Sequence, residues 1–293
     1  MKKVIALLVC LSLVFAFAAC SGKTDDPTTT AGSAEDTAAA VPAESGVLRV
    51  AMEANYAPYN WTQSDDKNGA VPIKDSPDYA YGYDVMMAKY LADKMGKTVE
   101  IYKMDWSSIP LAVQAGTVDC AICGQSITAE RLETVDFTTP YYYASIVVLV
   151  KADSEYAGAK GLSELDGASA TSQLGTIWYD KCVPQIPNVD AHTAIEEVPN
   201  MITALRSGDV DVVVTDAPTA MSACTSYNDL VTLNFTGTDD DFQVSDEDVN
   251  IGISVMKGNT ELLDALNAGL ATLTDDDFVE WMQKAVELQP LAE

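Results

Sequence analysis

The chain has 293 residues, 48% of them hydrophobic, and its formal net charge at pH 7 is −27. This length leaves room for two domains with their own hydrophobic cores. The strong negative charge argues against nucleic acids and anionic lipid headgroups as partners of the folded surface, because like charges repel.

The first twenty residues have the pattern of an export signal. Lys2 and Lys3 precede an apolar stretch over residues 4–19, interrupted only by Ser12, which is short for a membrane span. Small residues directly before Cys20 resemble the lipobox of bacterial lipoproteins. This resemblance implies that Cys20 carries a lipid, and that the protein is anchored at the outer, extracytoplasmic face of the cytoplasmic membrane. The alternative is an ordinary signal peptide cut near Ala19, with Cys20 as an ordinary thiol.

Residues 21–45 are predicted to form a disordered tether. They are rich in Thr, Ala, Ser, Gly, Pro and acidic side chains and contain almost nothing bulky. Such a segment cannot bury enough apolar surface to offset the entropy lost on ordering. A tether after an anchored cysteine would hold a globular body away from the membrane, and an ordinary disordered terminus is the alternative.

Four cysteines and the single histidine of the remaining body carry little sign of metal or redox chemistry. Cys120 and Cys123 lie three apart in a predicted strand, where they point to opposite faces, so we expect no bond between them. Cys182 and Cys224 fall in predicted helices of the same half, and both a disulfide and two free thiols remain open. Because His192 is distant in sequence from any cysteine pair, no metal site and no cofactor is predicted.

Strands and helices alternate along the body from residue 47. In chain order, hydrophobic periodicity predicts a strand at 47–51, a helix at 85–92, a strand at 98–102, a helix at 109–115, strands at 118–123, 146–150 and 168–172, helices from 176 and at 199–207, a strand at 210–215, a helix at 217–227, a strand at 249–256, and helices at 261–272 and 276–286. This alternation is typical of parallel sheets with crossover helices. The restart after residue 150 predicts a second α/β lobe.

Short motifs follow one another in a characteristic order along the body. They are Glu53-Ala54-Asn55-Tyr56, Gly82-Tyr83-Asp84, Met104-Asp105-Trp106, Gln125-Ser126-Ile127-Thr128-Ala129-Glu130-Arg131, Gln173-Leu174-Gly175-Thr176 and Val212-Val213-Val214-Thr215-Asp216. Each motif is weak alone. The ordered set spans nearly the whole body and resembles the family-3 bacterial solute-binding proteins, the polar-amino-acid receptors of ABC importers.

The resemblance implies both a fold and a function. The fold is the two-lobed α/β periplasmic-binding-protein type II fold, with lobe 1 at residues 46–144 and 249–293 and lobe 2 at residues 145–248. Two hinge strands near 144–146 and 245–250 join the lobes. The implied function is the extracytoplasmic substrate-binding component of an amino-acid ABC importer, a monomer whose partners are the amino acid, the permease and the ATPase subunits.

A zwitterion buried between two lobes needs one cation and one anion from the protein. By the resemblance, Arg131 receives the α-carboxylate and Asp216 receives the α-ammonium. Arg131 also has an alternative role as an exposed helix arginine paired with Glu130 or Glu133. Asp216 is also placed to cap the helix that begins at Ala217, and the two roles are compatible.

The remaining binding roles also follow from the resemblance. Thr176 is expected to offer its backbone N–H and hydroxyl to the carboxylate. Gly124 and Ser126 are expected to offer a carbonyl and a hydroxyl to the ammonium. Tyr56 and Trp106 match the aromatic pair that holds the stem of the ligand's side chain between flat apolar faces, and a core role is the alternative for Trp106.

Glu53, at the carboxyl end of the first strand, is expected to face the far end of the ligand, with Asp84 nearby. This arrangement favours a basic or neutral polar amino acid, with arginine or lysine first and glutamine next. Cys123, Ile177 and Trp178 depart from the usual family pattern, which leaves the side-chain selectivity open.

Two other classes of function share this fold. Cyclohexadienyl-type dehydratases are enzymes, but the sequence contains no Ser/His/Asp set, phosphate loop or metal cluster, and His192 lies in a connecting segment. We therefore predict that the protein is not an enzyme. A sensory ligand-binding subunit is the third class, and it would need a separate signalling chain.

Overall fold

The computed structural model describes residues 46–290. The predicted export signal, Cys20 and the predicted tether lie outside these residues. Within residues 46–290, none of the helices combines the length and the apolar character needed to cross a membrane.

The described residues alternate between strands and helices along the chain. The strands are β1 (Val47–Met52), β2 (Asn55–Tyr56), β3 (Asn60–Gln63), β4 (Val71–Pro72), β5 (Tyr79–Tyr81), β6 (Thr98–Lys103), β7 (Cys120–Ala121), β8 (Val135–Phe137), β9 (Tyr142–Tyr143), β10 (Ile146–Lys151), β11 (Ser169–Thr171), β12 (Asp190–Ala191), β13 (Val212–Asp216), β14 (Leu230–Leu233), β15 (Asn250–Ile251) and β16 (Ser254–Met256). The helices are α1 (Tyr83–Lys94), α2 (Ile109–Gln114), α3 (Ala129–Thr134), α4 (Val198–Ser207), α5 (Ala217–Ser226), α6 (Asp246–Val249), α7 (Thr260–Leu270) and α8 (Asp275–Leu288).

The first five-stranded sheet has the order β6-β1-β7-β16-β8. β1 pairs in parallel with β6 and β7, whereas β16 runs antiparallel to β7 and β8. The C-terminal part of the chain therefore completes a sheet that the N-terminal part begins. We call this sheet, with the helices α1, α2, α3, α7 and α8 and the small sheet β2-β3-β5-β4, lobe 1.

The second five-stranded sheet has the order β12-β11-β13-β10-β14. β11 is parallel to β12 and β13, and β10 is antiparallel to β13 and β14. Helices α4 and α5 pack on it, and together they form lobe 2. Both sheets are mixed, whereas the sequence predicts parallel ones, and the protein has the predicted two-lobed α/β fold. The residue boundaries predicted for the lobes stay a prediction.

Two neighbouring segments carry the chain between the sheets. β9 leads from the first sheet to the second and β15 leads back, and they pair antiparallel with Tyr143 opposite Asn250 and Tyr142 opposite Ile251. The predicted strand at 249–256 is therefore two strands, because β15 pairs with β9 whereas β16 pairs with β7 and β8. Gly252 separates them where a Cβ atom would lie only 2.7 Å from Cδ1 of Ile127.

One predicted element of lobe 2 differs in detail, and the open question of its cysteines is answered. The helix expected from residue 176 is a short π-helical turn, Trp178–Cys182, followed by a 3-10 turn, Val183–Gln185. Pro184 lacks the N–H that a continuing α-helix would need. Cys182 is buried and Cys224 lies 3.4 Å from the hydroxyl of Thr232, and both are free thiols.

Candidate functional site

Two of the predicted site residues stand at strand ends, one in each lobe. β1 ends at Met52 and Glu53 follows it, and β13 ends with Asp216 itself. The carboxyl ends of strands in open α/β sheets are where ligands bind, because the loops there leave a crevice. The sequence predicts that Glu53 and Asp216 lie at the carboxyl ends of strands, and the strand bounds confirm this placement.

A cleft of about 1040 Å³ opens between the lobes. Trp106 and Arg131 line it from lobe 1, and Thr176 and Ile177 line it from lobe 2. The other predicted site residues lie outside its lining. Of these, Gly124 is half-buried, and the others are buried: Glu53, Tyr56, Ser126 and Asp216.

Arg131 joins the two lobes. α3 begins after Thr128, whose hydroxyl accepts a hydrogen bond from the Arg131 backbone N–H. The guanidinium donates to the carbonyls of Ser126 at 2.8 Å and Gly175 at 2.9 Å, and it lies 5.5 Å from the centre of the Trp106 ring. Burial lowers the pKa of Arg131, and the guanidinium contacts carbonyls instead of the acids beside it on α3.

Asp216 is fully buried and is bonded from both lobes. Its Oδ1 accepts the Thr219 N–H at 3.0 Å, so it caps α5, and its Oδ2 accepts the Thr219 hydroxyl at 2.8 Å. Tyr56 of lobe 1 donates its hydroxyl to the same Oδ2 at 2.7 Å. Burial raises the pKa of Asp216, and these donors offset part of that effect. The predicted helix-cap role is confirmed.

Tyr56 and Trp106, the predicted aromatic pair, are both buried in lobe 1 and each reaches lobe 2 through a hydrogen bond. The Tyr56 ring is 4.8 Å from the Tyr59 ring, and it closely approaches Gly124. A Cβ atom at position 124 would lie 2.8 Å from Cε1 of Tyr56, and the φ of Gly124 is +68°, so only glycine fits there. Trp106 donates its indole N–H to the Leu174 carbonyl of lobe 2 at 2.9 Å. Trp106 is buried in the hydrophobic core, as the alternative role predicts, and it also contacts lobe 2 through this bond.

Two smaller site residues make local hydrogen bonds. The Thr176 hydroxyl donates to the Gln173 carbonyl at 2.7 Å, which closes the turn before the π-helical segment. The backbone N–H of Gly124 donates to the Tyr141 hydroxyl at 3.1 Å. Both contacts fix the backbone of loops that border the site.

Glu53 is a buried carboxylate with incomplete hydrogen bonding. Glu53 is only 4% exposed, and its Oε2 accepts a long hydrogen bond of 3.5 Å from the side-chain amide of Gln173. Oε1 has no hydrogen-bond partner among the residues that the structure describes. Burial, followed by the charges of Glu197 and Glu196, raises the pKa of Glu53 to about 8.

Sequence reasoning missed Glu196 and Glu197. They directly precede α4 in lobe 2, and both reach lobe 1: Glu196 Oε1 accepts the Ser107 N–H at 3.0 Å, and Glu197 Oε2 accepts from Asn55 at 3.4 Å. The available signal was two adjacent acids just before a predicted helix, at the end of the sheet where the site lies.

Asp84 lies inside lobe 1. Its Oδ1 accepts the Tyr141 hydroxyl and its Oδ2 accepts the Asn60 amide, both at 2.7 Å, and burial raises its pKa to about 7. Within residues 46–290 no hydrogen bond joins it to Glu53. Asp84 instead holds the Tyr141 hydroxyl that binds the N–H of Gly124.

The three residues that depart from the usual family pattern lie in different surroundings. Cys123 is completely buried, and burial raises the pKa of its thiol, so it is neutral. Ile177 lines the cleft, whereas Trp178 is buried outside the cleft lining.

Among residues 46–290 no group of three or more His, Cys, Asp or Glu residues is arranged to hold a metal ion.

Comparisons with known proteins agree with this architecture. The chain is 27% identical to the arginine-binding extracellular protein ArtP of Bacillus subtilis over 97% of each chain, and 28% identical to the L-cystine-binding protein TcyJ of Escherichia coli over 81% of each chain. A crystal structure of an amino acid ABC transporter substrate-binding protein from Streptococcus pneumoniae bound to L-arginine aligns with a TM-score of 0.71 and 27% identity, covering 83% of this chain and 95% of that chain. The model of the bacterial extracellular solute-binding proteins, family 3, matches residues 48–285, and the chain belongs to that family.

Proposed function

We propose that the protein captures an L-amino acid with a basic side chain between its lobes and delivers it to an ABC importer outside the cytoplasm. The observation that carries the choice of ligand is Glu53. A buried carboxylate with an oxygen that lacks a partner in the described residues, beside two further acids, favours a cation. ArtP and the structure from Streptococcus pneumoniae are also named for arginine.

The backbone charges of the amino acid have matching groups. Arg131 would bind the α-carboxylate through its planar fork, and the Thr176 N–H and hydroxyl would add hydrogen bonds. Asp216 would bind the α-ammonium in place of the Tyr56 hydroxyl, helped by the Gly124 carbonyl and the Ser126 hydroxyl. Pairing both charges avoids the large cost of burying a lone ion.

The side chain of the ligand would run between Tyr56 and Trp106 towards Glu53. Arginine and lysine place a cation at that end, whereas the second half of cystine adds a carboxylate there as well as an ammonium. The acids near Glu53 repel that carboxylate. We therefore favour a basic amino acid over cystine, the ligand for which TcyJ is named.

Lobe closure would couple binding to delivery. Lobe 1 supplies Arg131 and Glu53, and lobe 2 supplies Thr176 and Asp216. A ligand held by both lobes binds the closed state more tightly than the open state, so it shifts the population towards closure. The importer would then recognise the closed form.

Titration calorimetry of the mature protein against the common amino acids tests this proposal. We expect arginine or lysine to bind at about micromolar Kd or tighter, which corresponds to about −8 kcal/mol. Asp216→Asn keeps a helix-capping side chain but removes the charge, and Arg131→Ala removes the fork. Each should weaken binding by at least about thirtyfold, since losing one partner of a buried charge pair costs about 2–5 kcal/mol.

Arg206→Ala is the matched control. Arg206 also lies over an aromatic ring, 4.0 Å from the centre of Tyr227, and it pairs with Asp229 in lobe 2. Its loss should leave affinity unchanged. Normal affinity in Arg131→Ala or Asp216→Asn would remove that residue from the site.

Two further parts of the proposal have separate tests. If the protein is a receptor and not a dehydratase-like enzyme, the bound amino acid is recovered chemically unchanged at one equivalent per chain. If Cys20 carries a lipid, the full chain partitions into detergent with the membrane fraction and Cys20→Ser does not. Converted ligand in the first test, or equal partitioning in the second, would contradict the respective claim.

A further inference from the structure

Two acids of lobe 2 lie within electrostatic reach of the buried Glu53 of lobe 1. Glu196 and Glu197 directly precede α4, and their charges raise the pKa of Glu53. Gln173 links the groups, because its amide donates to Glu53 Oε2 at 3.5 Å and to the Glu196 carbonyl at 3.1 Å. The contacts to Ser107 and Asn55 then bring both acids against lobe 1.

We propose that Glu196 and Glu197 determine the charge specificity of the site: together with Glu53 they form an acidic subsite, built from both lobes, that accepts the guanidinium or ammonium end of the ligand's side chain. This inference rests on the proposed function, since it assigns residues to the side-chain end of the same ligand.

The hydrogen bonding of the three acids leaves oxygens available for a cation. In the described part of the chain, Glu53 Oε1 is buried without a partner. Among the described residues, Glu196 accepts from Ser107, whose backbone N–H binds Oε1, and Glu197 accepts through Oε2, at 3.4 Å from Asn55 and 3.3 Å from Asn200. Glu197 directly precedes α4 but its side chain makes no capping hydrogen bond to the helix, so capping does not account for it.

The surrounding charges do not neutralise these acids. Lys103 is the cation whose charge lowers the pKa of Glu53, and it is exposed, with its ammonium donating to the Thr62 hydroxyl at 2.9 Å. Cys123, which also lies within electrostatic reach of Glu53, is neutral. The two acids of lobe 2 disfavour the ionised form of Glu53, and a ligand cation bound among the three groups would reverse that preference.

Division of the subsite between the lobes has a functional consequence. Glu53 alone belongs to lobe 1, so an open protein would present one acid to the ligand. Closure would add Glu196 and Glu197, so the favourable charge energy of a basic side chain would be gained mostly in the closed state. A neutral or acidic side chain would not obtain that gain, and specificity is this difference in affinity.

The test compares arginine with citrulline, which has the same shape but a neutral ureido group in place of the guanidinium. Calorimetry is run on the mature wild-type protein, on Glu196→Gln/Glu197→Gln, and on the control Glu155→Gln/Glu164→Gln, which removes two exposed acids of lobe 2. Glutamine retains the carbonyl oxygen that accepts the Ser107 and Asn55 bonds. Thermal melts check that all three proteins fold.

We expect the Glu196→Gln/Glu197→Gln variant to lose roughly tenfold in arginine affinity, as two half-buried charges would give, and to keep its citrulline affinity. The control should keep both. An unchanged ratio of arginine to citrulline affinity in this variant, with or without an equal loss for both ligands, would overturn the inference while leaving amino-acid binding intact. Failure of the wild type to bind any basic amino acid would instead overturn the proposed function.

Discussion

At the scale of single residues, Glu53 shows the sharpest conflict between burial and charge. Its pKa of about 8 lies well above the ordinary 4.5, because burial and two neighbouring acids disfavour the ionised form. At pH 7 the side chain therefore holds a proton in the ligand-free protein. Because folding favours the protonated form, this residue's contribution to the free energy of unfolding is complete at low pH and is lost as pH rises through about 8.

A bound cation reverses that preference, which predicts a pH dependence of binding. Arginine affinity should increase as pH rises from 6 to 8 and level off above that, by at most about tenfold per pH unit for one proton. Calorimetry in two buffers of different ionisation enthalpy should detect proton release on binding. Glu53→Gln should remove both effects, and a wild-type affinity that is flat over this range would contradict the assignment.

A second residue-scale prediction concerns Tyr141, which joins Asp84 to the Gly124 backbone. Tyr141→Phe leaves a buried carboxylate oxygen and a backbone N–H without their partner, so the free energy of unfolding should fall by about 1–3 kcal/mol. Urea denaturation measures this. The control is Tyr143→Phe, because Tyr143 is 63% exposed. Equal stability of the two variants would show that the Tyr141 hydroxyl is dispensable.

Residue positions that follow from local pattern were predictable, and those that depend on lobe contact were not. Glu53 and Asp216 stand at strand ends, which apolar runs locate in a sequence. The Tyr56–Asp216 hydrogen bond and the position of Glu196 depend on how two separate sheets meet. No spacing within one segment encodes such a contact.

At the scale of elements, α1 depends on the glycine that precedes it. The N–H groups of Tyr83 and Asp84 donate to the carbonyls of Pro58 and Tyr59, which satisfies the exposed start of the helix. Gly82 makes this approach possible, because its φ is +128° and a Cβ atom there would lie 2.4 Å from the Tyr59 oxygen. The start of α1 in turn positions Asp84, which binds the Tyr141 hydroxyl beside Gly124.

Gly82→Ala should therefore destabilise the protein by more than about 2 kcal/mol, since both backbone strain and a backbone clash must be relieved. Gly158→Ala, at a position with nothing within 4 Å of the added carbon, should be nearly neutral. Chemical denaturation of both variants makes the comparison. A small effect of Gly82→Ala would mean that the loop at Tyr59 moves easily.

Element types were easier to predict than element ends. The helical spacing of 85–92 and 276–286 predicts α1 and α8, which extend one or two residues further at each end. The predicted strand at 118–123 is only Cys120–Ala121, because pairing with β1 and β16 decides its length. Strand length depends on partners that are distant in sequence.

At the scale of the whole molecule, the lobes are also joined away from the predicted ligand contacts. Gln289 follows α8, which packs on α1 through the Tyr90–Trp281 ring contact in lobe 1. Its side-chain oxygen accepts a hydrogen bond from Ser222 of α5 in lobe 2. Both side chains are buried. This bond stabilises the observed arrangement of the two lobes at a place apart from the predicted ligand contacts.

If closure is coupled to binding, Gln289→Ala should weaken arginine binding by about two- to tenfold. Loss of one hydrogen bond lowers the population of the closed state, and the apparent affinity scales with that population. Small-angle scattering should show a larger ligand-free radius of gyration for this variant, with arginine restoring compactness. Gln185→Ala is the matched control, because the side-chain hydrogen bonds of Gln185 to described residues join it to Lys181 and Gln243, both in lobe 2. Equal arginine affinity in the two glutamine variants would show that α8 moves with lobe 2 during closure and does not hold the lobes together.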